Sequence, residues 1–103
     1  MRAETLKRKI LSNPFVDKVR VEMSFDEEAY CRLRADLEAL AFELRGSRTL
    51  DRELALALYS IPSMIRNAFL SFAGHPAALA PVVSHLEDAW MELDSLVTEC
   101  LAD

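Results

Sequence analysis

Between Glu53 and Glu87 the only formally charged side chain is Arg66. Within that run, residues 54–61 (Leu-Ala-Leu-Ala-Leu-Tyr-Ser-Ile) offer no polar face at all. A helix that is apolar all round has to be covered on several sides, by its own chain or by another. A lipid bilayer is a poor candidate for that cover. Spanning one takes about 20 continuous, mostly apolar residues, and the run is cut by Ser60-Ile61-Pro62-Ser63, Arg66-Asn67 and Gly74-His75-Pro76. The cover is therefore expected to be protein, with no membrane among the partners.

The chain has 103 residues and only two glycines, Gly46 and Gly74. Tight turns and β-hairpins draw heavily on glycine, so its scarcity favours helices joined by few loops. A chain of this length supports one modest core and a single domain. Residues 3–11 read as a short helix with Leu6, Ile10 and Leu11 on one side, and Ser12-Asn13-Pro14 interrupts it. In the next segment Val19, Val21, Met23 and Phe25 alternate with Lys18, Arg20, Glu22 and Ser24, which predicts a β-strand at about 17–24. The competing reading is a helix capped by Asn13 with Pro14 at its first position, since Val16, Val19 and Met23 also keep helical spacing.

From about 25 to 45 the pattern is helical. Tyr30, Leu33, Leu37, Leu40 and Leu44 recur at alternating three- and four-residue intervals, and Ser24 with Glu27 suggests a capping box. Gly46 would stop the helix. A second long helix is expected from about 50 to 73, with Asp51 and Glu53 in its first turn and a kink near Pro62. A third is expected from about 82 to 101, opened by a Ser84/Glu87 capping box, with Val82, Leu86, Ala89, Leu93, Leu96 and Cys100 inward. The expected fold is mainly α: a small antiparallel bundle of three long helices plus a short N-terminal one, with the possible strand in a basic arm over residues 1–23.

Charge is unevenly spread over a net −5. Residues 1–20 carry +4, residues 21–66 carry −3 and the remainder carries −6. A basic head and an acidic tail can lie against each other, within one subunit or across a dimer, or the head can meet a polyanion. Exposed pairs of this kind orient a contact more than they drive it.

Little in the residues points to chemistry. His75 stands in a loop, and His85 with Asp88 supplies at most half of a bundle-type metal site. Ser60, Ser63, Ser71 and Ser84 are nucleophiles by residue type alone, none in a Gly-x-Ser-x-Gly turn. Cys31 has Arg32 and Arg34 close by but no histidine placed to serve it. Glu27, Glu28, Asp36, Glu38 and Glu43 interleave with Arg32, Arg34 and Arg45 as a solvated helix face. Two distant glycines make no phosphate cradle. No catalytic residue, metal or cofactor is expected. Cys31 and Cys100 lack metal or redox spacing, and the charged opening Met-Arg-Ala-Glu-Thr-Leu-Lys-Arg-Lys is unlike a signal peptide, so two reduced cytoplasmic thiols are expected.

Two functional readings follow. The first is a non-enzymatic interaction module (accessory, adaptor or immunity-type), homodimeric and binding an unidentified protein. Its interface would draw on the surplus apolar surface of Leu54, Leu56, Leu58, Tyr59, Ile61, Met64, Ile65, Phe69 and Phe72. The second rests on residues 18–58. The alternating Lys18-Val-Arg-Val-Glu-Met-Ser24, the helix after it and Gly46-Ser-Arg-Thr-Leu-Asp-Arg-Glu-Leu54 resemble the ribbon-helix-helix family of DNA-binding regulators. The resemblance implies a strand paired across a dimer, with Lys18 and Arg20 meeting nucleic acid in the major groove. The longer first helix, Pro62 and the acidic net charge depart from that pattern, which puts this reading second.

Overall fold

The computed structural model describes residues 2–45, 49–72 and 80–101. Five α-helices account for most of them: α1 (Arg2–Ser12), α2 (Phe15–Glu22), α3 (Glu27–Glu43), α4 (Arg52–Phe72) and α5 (Ala80–Leu101). Gly46, Gly74 and His75, read above as helix stop and loop residues, lie outside the described residues.

Residues 17–24 are not a strand. Phe15–Glu22 is helical, and among the described residues there is no strand. The physical reason is local. The Asn13 carboxamide oxygen accepts the Phe15 N–H at 2.8 Å, and its Nδ2 donates to the Ala29 carbonyl at 3.0 Å. Pro14 then needs no amide donor where the helix begins. The alternation that suggested a strand is coincidental, because Phe15 and Val19, one helical turn apart, are the residues fully buried. Met23 ends α2 in the left-handed conformation, at φ 52° and ψ 36°.

The caps also sit elsewhere than the sequence pattern placed them. Asp26, not Ser24, caps α3: its side chain accepts from the Ala29 N–H at 3.0 Å. The same carboxylate pairs with Lys18 at 2.6 Å, so one residue both caps α3 and ties α2 to it. Asp51 precedes α4 instead of lying in its first turn, and accepts from the Leu54 N–H at 2.9 Å. Ser84 lies inside α5, which has already begun by residue 80. α4 runs through buried Pro62, which has no N–H to offer the Leu58 carbonyl.

Helix directions follow from contacts along each pair. Tyr30 meets Glu92 and the Cys100 thiol lies 3.5 Å from the Leu37 carbonyl, so α3 and α5 run parallel. Arg66 lies over Trp90, while Tyr59 shares a groove with Thr98 and Leu101, so α4 and α5 run antiparallel. Lys7 reaches Asp51 and Glu53, and Arg20 lies beside Ala68 and Phe72, so α1 and α2 travel the same way as α4. α1 and α2 together form one broken rod that packs on α3 and α4. α5 packs on both α3 and α4, which make little direct contact with each other. The bundle therefore contains parallel neighbours as well as antiparallel ones. Eight residues separate Glu43 from Arg52, enough chain to cross the bundle instead of joining adjacent helices.

The core is continuous through all five helices. Leu33, Leu37 and Leu40 of α3 face Leu86 and Leu93 of α5, with Leu58 and Ile65 of α4 and Phe15 and Val19 of α2 closing it. Each large apolar side chain fully buried contributes about 1.5–3 kcal/mol. Replacing Leu37 with alanine is expected to lower the unfolding free energy by about 2–5 kcal/mol. Val21→Ala, at a residue 80% exposed, should change it by less than about 0.5 kcal/mol. Urea titration followed by circular dichroism checks both.

Candidate interaction surface

Of the nine apolar residues expected at an interface, Leu54, Leu58, Ile61, Ile65 and Phe72 are buried in the chain's own core. With buried Ala68 between Ile65 and Phe72, they recur every three or four residues and face α5 and the α1–α2 rod. Met64 and Phe69 are partly covered. Leu56 and Tyr59 remain outside, 67% and 73% exposed, and Leu70 joins them. At positions 56, 59, 63, 66 and 70 the outer face of α4 reads Leu, Tyr, Ser, Arg, Leu, one stripe at helical spacing. The surplus apolar surface is thus narrower than the sequence implied, because the core accounts for more than half of it.

Beside this stripe the seam between α4 and α5 opens as a groove of ≈ 330 Å³. Tyr59, Pro62, Ser63 and Arg66 form its α4 wall, and Trp90, Asp94, Thr98 and Leu101 its α5 wall. The Arg66 guanidinium lies 5.9 Å from the centre of the Trp90 ring, within cation–π range. The indole N–H of Trp90 is buried and meets no acceptor. Leu101, at the C-terminal end of α5, is half exposed. Trp90 and Leu101 lie beside the inward stripe of α5, where the hydrophobic spacing alone does not mark them as groove residues. The signal was present in the three- and four-residue spacing of 87, 90, 94, 98 and 101.

The two residues proposed for nucleic acid do not form a ribbon. Lys18 is committed to Asp26. Arg20 is exposed and leans over a second groove of ≈ 370 Å³ with Met64, Asn67, Ala68, Ser71 and Phe72. The basic rod does not lie against the acidic α5. Lys7 instead pairs with Asp51 and Glu53, both at 3.1 Å, at the start of α4.

The titratable groups that depart from ordinary values belong to structural contacts. The Lys18 ammonium and the Ala29 N–H hold the Asp26 carboxyl below its usual range. The Leu54 N–H, then Lys7, do the same for Asp51. Hydrogen bonds to Glu53, then Asp51, raise Lys7, and the bond to Asp26 raises Lys18. Burial, reinforced by the Glu92 carboxylate, raises the Tyr30 phenol. Tyr30 donates to Glu92, and Arg34 stands 3.6 Å from the same carboxylate. This network joins α3 to α5. Phe15, Phe25 and Tyr30 form an aromatic cluster against which His85 stacks at 5.2 Å from Phe25. His85 is therefore a packing residue here. Among the described residues no three histidines, cysteines or acids gather as metal ligands, and no described helix is long and apolar enough to cross a membrane.

No protein-family model, curated protein or solved structure matches the chain.

Two outcomes are expected. The Asp26 and Asp51 carboxyls titrate below their unfolded values, so the stability they add is complete above about pH 4 and is lost as pH falls through the lowered values. Asp26→Asn should flatten the fall of Tm between pH 5 and 2, measured calorimetrically. The second outcome concerns the thiols. Burial pushes Cys100 up to about 11, whereas Cys31 is exposed. Iodoacetamide at pH 8 should therefore modify Cys31 in the native protein and Cys100 only after unfolding, as read by mass spectrometry.

Proposed function

We propose that the chain is a non-enzymatic protein-interaction module, of accessory, adaptor or immunity type, that self-associates as a homodimer and engages a protein partner in the cytoplasm. One observation carries this reading. The core is filled from all five helices, yet Leu56, Tyr59 and Leu70 stand exposed on a single stripe of α4 beside an aromatic-lined groove. Scattered exposed apolar residues are ordinary, whereas an aligned row next to a tryptophan and a tyrosine has the make-up of an interface centre. Two unpaired thiols, one exposed and one buried, fit a reducing compartment.

The ribbon-helix-helix alternative is not carried forward. It needs residues 17–24 extended and paired across a dimer, and they are helical, with Lys18 held by Asp26.

Light scattering after gel filtration tests the self-association. The expected result is a mass near twice 11.6 kDa at both low and high salt, since apolar burial resists screening. Leu56→Ser with Tyr59→Ser should return the protein to monomer with its helix content intact. A wild-type monomer at millimolar concentration would sink the homodimer.

A further inference from the structure

We propose that two copies join through the α4–α5 face about a twofold axis parallel to the helices, so that α4 of each protomer lies on α5 of the other. This inference rests on the homodimer reading above and adds the face, its orientation and the charges that select it.

The two helices of this face are electrostatically unlike. α5 brings Glu87 and Asp94 to it and has no lysine or arginine, while Glu92 is turned to Tyr30 and Arg34 of α3. The exposed face of α4 carries Arg66, the last lysine or arginine in the chain, between Ser63 and Leu70. A twofold axis across the helices sets α5 against α5, bringing acid against acid with no base between them. An axis along the helices sets α4 against α5 twice. Like charges facing one another across an interface repel, and opposite ones fix register.

The levels along the bundle agree with this choice. Arg66 stands at the level of Trp90 within its own subunit, and Tyr59 at the level of Thr98. Carried across the axis, Arg66 meets the partner's Trp90. The partner's Glu87 and Asp94 then lie about one helical turn (~5 Å) to either side of it, within the reach of an arginine side chain. Tyr59 meets the partner's Thr98, with the partner's Leu101 one turn away. The apolar ends of the groove are thereby covered and its one base falls between two acids.

The face is also of suitable size. α4 is 21 residues long, or about 31 Å at 1.5 Å per residue, and the bundle is 21 Å across. Their product, about 650 Å² in projection, is on the scale of the ~800 Å² each partner gives to a stable interface.

Spin-label distances decide the orientation. Ser84, Met91 and Ser95 are exposed, seven and four residues apart, close to one stripe of α5 outside the groove. Each is replaced singly by cysteine in a Cys31→Ser background, with buried Cys100 left unlabelled. A twofold axis along the helices makes the distance between symmetry-related labels independent of height, so the three values should agree within about 5 Å. An axis across the helices changes the distance by up to about 20 Å per seven-residue step. A dimeric mass with such steps would overturn the orientation while leaving self-association intact, whereas a monomeric mass with no label coupling would overturn both.

Charge gives an independent reading. Arg66→Glu should weaken the dimer about tenfold in Kd, and adding Glu87→Lys with Asp94→Lys should restore it. Unchanged Kd in a dimeric Arg66→Glu protein would remove Arg66 from the interface.

Discussion

α5 holds the bundle together because α3 and α4 make little contact of their own. Its inward residues Leu86, Ala89 and Leu93 are all but inaccessible, and Leu96, Val97 and Cys100 continue the row to the C-terminal turn. The row is wide enough to serve two helices at once, with Leu33 and Leu37 on one side and Leu58 and Ile65 on the other. Packing at this density tolerates few voids, so the position of α5 determines the separation of α3 and α4 and the shape of the seam beside Trp90. The Tyr30–Glu92–Arg34 network adds a directional contact to a core that is otherwise apolar.

On the opposite side of the core, the α1–α2 rod is positioned by a few polar groups. Asn13 bonds forward to Phe15 and across to Ala29, and Asp26 accepts from Ala29 while pairing with Lys18. These bonds fix the angle at which Phe15 enters the core beside Phe25 and Tyr30. Two of the six bases of the basic head are thereby spent inside the subunit. Lys7 and Lys18 neutralise helix-start acids, where a carboxylate is already favoured by the helix dipole. What remains for the exterior is a bundle whose α5 is acidic and whose α4 presents a short apolar row interrupted by Arg66, the asymmetry on which the proposed self-docking geometry rests.

Much of the fold was legible in the sequence. The Tyr30–Leu40 spacing marks α3, Leu86–Cys100 marks α5, and the charge-poor run after Glu53 marks α4, because burial on one face imposes a 3.6-residue period wherever a helix lies on a core. Capping was legible only as a possibility. Ser24, Asp26 and Glu27 are all chemically able to begin α3, and the choice of Asp26 depends on Lys18, a residue of another helix.

Sequence alone determined that this chain is helical, has a single core and carries fewer charged side chains on α4 than on its other helices. These properties follow from residue type and local spacing. Tertiary structure decided the rest. It made α2 a helix, because two hydrogen bonds from Asn13 and the burial of Phe15 and Val19 outweigh a period-two pattern. It also divided the apolar residues of α4 between core and surface. Leu54 and Leu56 are identical in chemistry and two positions apart, and only the placement of α5 and the α1–α2 rod buries the first and leaves the second in solvent.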